Sequence, residues 1–284
     1  MAINTWGEGV EYTFQTRHSW RYGGGAGAAR INANHFTDFV GLSFPLKEIT
    51  RKLVKSYCFE LEDLEVPASS INRRISPIST VLNHLVEEEE IDYAIPKFKR
   101  YKEPKGRPYY FTRDQLNGIL SLIRTRRLRD IVNMAVCTGG RRAELLTLTP
   151  RDIDLDSNLI YFGGRPEFNT KTGDWRTVPI TEPIRELLVS RVELVPNDVA
   201  IFGDEWEYPG KVQEHFKRAV VRYDLPPEYC FHVLRHTFAT WHCEAGTPIR
   251  VLMDLMGHKK IETTLRYAKT TDLARTNAMS QVFS

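Results

Sequence analysis

The sequence lacks the features that mark several common protein classes. It has four cysteines in 284 residues and no CxxC pair, so neither a disulfide framework nor a zinc ribbon is expected. No window approaches the roughly 18 apolar residues that a membrane span requires, and the N-terminus has no basic start followed by an apolar run. We therefore expect a cytoplasmic protein without a membrane partner.

Neither sign of charge dominates the chain. The net charge of +3 is too small by itself to indicate a nucleic-acid partner. Residues 1–100 carry 12 Lys and Arg against 13 Asp and Glu, whereas residues 101–284 carry 27 against 23. The hydrophobic content of 42% and the charged content of 26% are ordinary for a globular protein. The length predicts two domains, with the basic excess in the second.

The densest basic segment lies between the two halves. Residues 97–113 contain seven Lys and Arg and one acidic residue, and prolines and a glycine interrupt any helix there. We interpret residues 97–111 as an interdomain linker. Tyrosines alternate with its cations, a composition suited to lying along a phosphate backbone, although a plain polar linker remains an alternative. The candidate DNA-binding residues are Lys97, Lys99, Arg100, Lys102, Lys105 and Arg107.

Before the linker, apolar residues recur at helical spacing. The predicted helices cover residues 30–41, 50–63 and 69–87. Ser69 and Ser70 are candidate N-caps of the third helix, and Pro77 predicts a kink or a break within it. Residues 1–28, which include a run of three glycines, are expected to be a flexible lead-in. Residues 29–96 then form an all-helical domain.

After the linker, the pattern predicts a mainly α domain with a small antiparallel sheet over residues 112–284. Strand-like segments at 159–162 and 175–180 flank a turn rich in glycine and polar residues, which indicates a β-hairpin. The predicted helices lie near residues 112–124, 127–138, 141–148, 182–193, 209–222, 231–245 and 248–256.

Four short segments of this second half carry the chemistry. They are TGGRRAEL at 138–145, TKTG at 170–173, HVLRH at 232–236 and LMGH at 255–258, and Tyr267 follows nine residues after the last histidine. Each one alone is unremarkable. For example, Arg141 and Glu144 are spaced as an ordinary surface ion pair, worth a few tenths of a kcal/mol.

Together these segments resemble the tyrosine recombinase (phage integrase) family. Its catalytic domain carries TGxRxxEL, a hairpin lysine, HxLRH, LGH and a tyrosine nine residues later, and all of these occur here in order. The resemblance covers residues 110–270, and the helical half resembles the family's core-binding domain. The sequence departs from the pattern at Met256, where leucine is common, and at Gly140, where an apolar residue is usual.

The resemblance implies a catalytic set in which Tyr267 attacks DNA and becomes joined to its 3′ phosphate. Phosphoryl transfer places extra negative charge on the nonbridging oxygens, and fixed guanidinium groups suit that charge. The remaining roles that it implies are Arg141 and Arg235 on the phosphate, Glu144 orienting Arg141, His232 as general base, Lys171 as general acid and His258 as a phosphate hydrogen-bond donor.

The function implied is site-specific recombination, the integration or excision of a mobile element in the cytoplasm of a bacterial host. It needs no cofactor and involves duplex attachment sites, a homotetramer on DNA and, in some cases, an accessory DNA-bending protein or excisionase. An arm-type DNA-binding domain is expected to be absent or vestigial, and the tail after Tyr267 is expected to dock on a neighbour or fold back on its own domain. The alternatives are a type IB topoisomerase-like enzyme and an inactive accessory DNA-binding protein.

A metal site is a weaker alternative. His232 and His236 are four residues apart, and His242 and Cys243 follow in the same predicted helix. The zinc-protease motif needs a glutamate after its first histidine, where this chain has Val233. Arg235 would also place a cation beside the metal, so no metal is expected.

Overall fold

A computed structural model describes residues 3–103, 109–163, 175–202, 206 and 210–268. The chain divides into two compact units, Met1–Lys105 and Gly106–Ser284. Within the described ranges, no helix combines the length and the apolar character needed to cross a membrane.

The first unit is helical. Its helices are α1 (Trp6–Thr16), α2 (His18–Arg21), α3 (Ala26–Val40), α4 (Arg51–Asp63) and α5 (Ala68–Glu87), with a 3-10 turn at Leu46–Glu48. Edge-to-face aromatic pairs fill its core, with ring centroids 5.0 Å apart for Trp6 and Phe36 and 5.3 Å apart for Phe36 and Tyr57. Such pairs add to the stabilisation from apolar burial.

The prediction of a flexible lead-in over residues 1–28 is wrong. Helix α1 begins with a capping box, in which Thr5 and Glu8 each accept a hydrogen bond from the other's backbone amide. Trp6 is fully buried, and its indole Nε1 donates to Thr37 Oγ1 at 2.8 Å. The glycine run forms only the turn before α3. Its presence in the sequence suggested flexibility and hid the helical spacing of the residues that α1 buries.

Helix α5 is continuous through Pro77, so of the predicted kink or break the break does not occur. Its N-cap is Pro67, which makes no side-chain cap, and the two candidate serines lie within the first turn. A proline has no amide hydrogen, so the carbonyl four residues earlier loses its helical partner. The guanidinium of Arg100 donates to the Asn72 carbonyl at 2.6 Å, which ties the segment after α5 to this helix.

The predicted linker is partly built into the helical unit. The buried Asn72 side chain accepts a hydrogen bond from the Tyr101 amide at 2.8 Å and donates to its carbonyl at 3.0 Å. Phe98 and Tyr101 pack against the helical core. Residues 97–103 therefore line α5 instead of forming a free connection.

The second unit contains eight helices among its described residues and one three-stranded antiparallel sheet, in the order β1-β2-β3. The strands are β1 (Ile153–Asp154), β2 (Leu159–Phe162) and β3 (Arg176–Pro179), with Ile160 paired to both Ile153 and Val178. The hairpin was predicted, and β1 was not, because two residues are too few to show a period. The helices are α6 (Arg113–Leu122), α7 (Arg126–Thr138), α8 (Arg142–Leu146), α9 (Glu182–Val192), α10 (Gly210–Arg222), α11 (His232–Glu244), α12 (Ile249–Met256) and α13 (Ile261–Leu265).

Helix α11 lies at the centre of this unit and is anchored to the segment that enters it. The Phe111 amide donates to Thr237 Oγ1 at 2.9 Å, and the Trp241 indole donates to the Phe111 carbonyl at 3.1 Å. The Phe111 side chain is fully buried in the main core. The helix that carries the HVLRH segment is thereby fixed to the first described residues of the unit.

Replacing Trp6 tests whether α1 belongs to the folded core. We expect Trp6→Ala to lower the free energy of unfolding of the helical unit by about 3–5 kcal/mol, because it removes a fully buried indole and leaves a cavity. Urea denaturation measures the loss. Tyr22→Ala is the matched control, since that ring is 66% exposed. Equal stability of both variants would contradict the placement of α1.

Candidate active site

A glycine turn between α7 and α8 presents Arg141. Gly139 ends α7 with a φ of 62°, and a Cβ there would lie 2.6 Å from the Phe238 ring, so both backbone and space require glycine. A Cβ on Gly140 would meet the end of the Leu145 side chain at 2.9 Å, so a larger residue there would require this leucine to shift. Arg141 follows as the N-cap of α8, with its side chain 46% exposed.

Glu144 binds two arginines. It accepts hydrogen bonds from the Arg141 amide at 2.7 Å and guanidinium at 2.6 Å, and a bidentate pair from Arg176 at 3.0 and 2.7 Å. Burial alone would raise the pKa of Glu144, but the bonds and charges of these arginines outweigh it and lower the pKa to about 2. The carboxylate is therefore more than the surface partner that its spacing suggests.

Arg235 is 3% exposed and has no carboxylate contact among the described residues. Its guanidinium donates to the Gly139 carbonyl at 2.6 Å and to the Met256 carbonyl, which belong to the C-terminal ends of α7 and α12. Burial, with the charges of Arg141 and Arg176, lowers its pKa to about 10, so it stays protonated at neutral pH. Arg235 thus holds three helices together and keeps its charge.

The end of α12 positions His258. The Arg176 Nε donates to the Leu255 carbonyl at 2.9 Å, so two arginines bind the last carbonyls of this helix. Gly257 then turns the chain with a φ of 62°, and His258 Nδ1 lies 2.8 Å from Thr264 Oγ1. Burial and the nearby Arg235 and Arg141 lower the pKa of His258 to about 4.

Tyr267 returns to α11 after α13. It is 6% exposed, and its hydroxyl lies 2.6 Å from Nδ1 of His236. His232, one turn earlier on α11, is exposed and stacks edge-to-face on His236 with ring centroids 4.7 Å apart. Among the described residues, no hydrogen bond joins His232 to Tyr267. The histidine within hydrogen-bond distance of the Tyr267 hydroxyl is therefore His236, whereas the family resemblance predicts His232 as general base.

These groups share one region of the second unit. A cleft of about 1050 Å³ is lined by Arg141, Glu144, Arg176 and His258, among others. Arg235 binds the Gly139 carbonyl, two residues before Arg141, and is adjacent in α11 to His236, which contacts Tyr267. Lys171 lies outside the described residues. Arg176 has no role predicted from sequence, and His236 is predicted there only as a possible metal ligand.

The other candidate residues are placed as follows. Lys97, Lys99, Arg100 and Lys102 are exposed on the helical unit, while Lys105 and Arg107 fall outside the described part of the chain. In the described ranges, no three His, Cys, Asp or Glu side chains cluster so as to hold a metal ion. His242, from the alternative metal set, contacts Thr247 Oγ1 at 2.9 Å.

The second unit matches a known protein family. The model of the phage integrase family matches residues 109–273, more than half of the chain. This chain belongs to the phage integrase family of tyrosine recombinases. The tyrosine recombinase XerA of Thermococcus kodakarensis is 31% identical over 209 residues, which cover 70% of this chain and 72% of that protein. The integrase of Escherichia phage P2 is 30% identical over 225 residues, covering 78% of this chain but 61% of that protein.

Solved integrase structures share the fold of this tyrosine recombinase. The Tn1549 transposon integrase in complex with transposon right end DNA aligns with a TM-score of 0.76 at 17% identity, over 99% of this chain and 100% of that one. A lambda integrase tetramer bound to a Holliday junction aligns with a TM-score of 0.72 at 19% identity, over 94% of this chain and 78% of that one. A topoisomerase or an inactive accessory protein is not favoured by these matches.

The pH dependence of stability tests the Glu144 network. A carboxylate whose pKa falls from 4.5 to about 2 on folding stabilises the protein above pH 4.5 and loses that contribution as the pH falls towards 2. We expect Glu144→Gln to lower the free energy of unfolding by on the order of 3 kcal/mol at neutral pH, with the difference from wild type shrinking in acid. Urea denaturation at a series of pH values measures it. Glu186→Gln, on an exposed position of α9, is the control, and a pH-independent difference for Glu144→Gln would contradict the assignment.

Proposed function

We propose that this tyrosine recombinase cleaves and rejoins DNA at specific sites through a covalent link between Tyr267 and the 3′ phosphate. The observation that carries the proposal is the position of Tyr267, whose buried hydroxyl lies 2.6 Å from an imidazole nitrogen. Burial raises the pKa of this phenol, against the opposing charges of Arg266 and Arg235. The tyrosine therefore keeps its proton until a base accepts it.

The arginines account for phosphate recognition. Arg235 brings a buried positive charge with no carboxylate partner among the described residues, and the exposed half of Arg141 reaches the cleft. A dianionic phosphorane-like state between them gains more from these charges than the monoanionic ground state does, which lowers the barrier. Glu144 and Arg176 position Arg141, and His258 supports the phosphate from the other wall of the cleft.

The proposal extends to the DNA and the assembly. The named relatives are integrases and recombinases, and the solved neighbours include one on transposon end DNA and a tetramer on a Holliday junction. We infer that this chain likewise acts as a tetramer on two duplex attachment sites, exchanging one pair of strands at a time. The exposed cations Lys97, Lys99 and Lys102 lie on the segment that lines α5 in the helical unit and would contact phosphates.

Covalent capture tests the nucleophile and requires no defined attachment site. A pool of nicked duplexes of random sequence is incubated with the protein. The DNA that stays attached to the protein after denaturation in SDS is recovered and sequenced. We expect wild type to enrich one sequence class as a covalent adduct and Tyr267→Phe to give none, because the attacking oxygen is missing. Tyr161→Phe, in β2 of the same unit, is the control. An adduct that persists in Tyr267→Phe would contradict the assignment.

The role of Lys171 as general acid has a separate test. We expect Lys171→Ala to cleave the selected duplex about 10²–10⁴ times more slowly, the usual range for loss of a general acid. A 5′-bridging sulfur at the scissile phosphate should restore the rate, because a thiolate leaves without a proton. Gel analysis of adduct formation measures both rates. If the bridging sulfur does not restore the cleavage rate of Lys171→Ala, Lys171 is not the proton donor.

A further inference from the structure

We propose that His236, and not His232, accepts the proton of Tyr267 during cleavage and returns it during religation. The proposal rests on the assignment of Tyr267 as the nucleophile. It gives a role to the last histidine of the HVLRH segment, and it separates that role from the one that sequence resemblance gives to the first histidine.

The geometry favours His236. Its Nδ1 lies within 2.6 Å of the phenol oxygen, and the two rings are tilted by 44° with centroids 5.6 Å apart. His236 is half-buried, whereas His232 is exposed. A proton acceptor must be within hydrogen-bond reach of the proton that it abstracts, and of these two imidazoles His236 meets that condition.

The position of Tyr267 is fixed by the fold, so the contact does not depend on a chance rotamer of an exposed side chain. The ring packs in a small buried cluster with Phe238, Ala239, Leu252 and Met256. The Tyr267 amide donates to the Thr264 carbonyl at 3.0 Å, and Thr264 is itself fully buried beside His258. To reach His232 instead, the phenol would have to move by about one helical turn along α11.

The electrostatic environment keeps this imidazole available as an acceptor. Burial, followed by the neighbouring His232, Arg266 and Arg235, lowers the pKa of His236 to about 4. The ring is therefore neutral at physiological pH. A neutral imidazole that accepts at Nδ1 carries its own proton on Nε2, so the proposed transfer requires that tautomer of His236.

The proposed step balances as follows. The Oη–H proton of Tyr267 moves to Nδ1 of His236, and the freed oxygen lone pair forms the bond to phosphorus. The bond between phosphorus and the 5′ oxygen breaks, and that oxygen leaves with the bonding pair and takes a proton from the general acid proposed above, Lys171. Religation by a 5′ hydroxyl reverses each transfer, so His236 protonates the departing phenol. His232 is then free to contact the phosphate from its exposed position.

Nuclear magnetic resonance tests the contact without DNA. The full chain is labelled with ¹⁵N at histidine, and His236→Asn and His232→Asn identify the two sets of ring signals. We expect His236 at neutral pH to carry its proton on Nε2, and we expect Tyr267→Phe to shift its Nδ1 resonance more than any resonance of His232. A proton on Nδ1 of His236, or a larger response from His232, would overturn the proposal. A negative result from covalent capture leaves this measurement unaffected.

Kinetics distinguish proton transfer from simple positioning. On the duplex selected by covalent capture, we expect His236→Asn to slow cleavage by about 10²-fold or more, because the amide oxygen accepts a hydrogen bond near Nδ1 but takes up no proton. Trifluorotyrosine at position 267 should recover most of that loss, because a more acidic phenol needs a base less. If trifluorotyrosine does not restore the cleavage rate of His236→Asn, His236 only positions Tyr267, and the proposal is overturned.

His232→Asn is the matched control in the kinetic experiment, since the two histidines lie one turn apart on the same helix. We expect trifluorotyrosine to leave its rate defect unchanged, as for a residue that contacts phosphate. Recovery of His232→Asn but not of His236→Asn would assign the base to His232 instead. Retained binding of the selected duplex by both variants shows that they are folded.

Discussion

The active site depends on one buried cation, the guanidinium of Arg235. A charge in the interior is costly unless hydrogen bonds replace its water, and here two backbone carbonyls at the C-terminal ends of α7 and α12 do so. The last carbonyls of a helix have no partner within it and carry the negative end of its dipole. Arg235 satisfies both helix ends at once, and it thereby fixes Gly139, which precedes Arg141, and Met256, which precedes His258, relative to α11.

This arrangement leaves positive charge unneutralised. Glu144 is bound to both Arg141 and Arg176, and Arg235 is bound to carbonyls, which are neutral. The surplus has two consequences. It attracts an anion to the cleft, and together with burial it keeps His236 and His258 unprotonated, each with a pKa of about 4. In the proposed mechanism, the cations that would stabilise a phosphate thus also keep neutral the imidazole that would accept the proton.

Much of this was predictable from sequence because it is encoded locally. Helical spacing located most helices, and the order of TGGRRAEL, HVLRH, LMGH and Tyr267 identified the family. The failures involve long-range contacts. The burial of Trp6 depends on Thr37 and Phe36, which no local pattern reveals, and the packing of Tyr101 on the helical unit depends on Asn72, which is distant in sequence. Arg176 was treated as a strand residue, since its partners Glu144 and Leu255 are distant in sequence.

The two histidines of HVLRH show where sequence reasoning reaches its limit. Residues four apart on a helix face the same side, so His232 and His236 are equivalent candidates for contact with any group above that face. What distinguishes the two histidines is the path of the chain through α12, Gly257 and α13. This path determines which position along α11 Tyr267 contacts. That path is fixed by Arg235 and Arg176 at the end of α12 and by the contact of His258 with Thr264. The imidazole that meets Tyr267 is therefore determined by Arg235 and Arg176, and in the proposed mechanism a change in their packing would alter phosphate binding and proton transfer together.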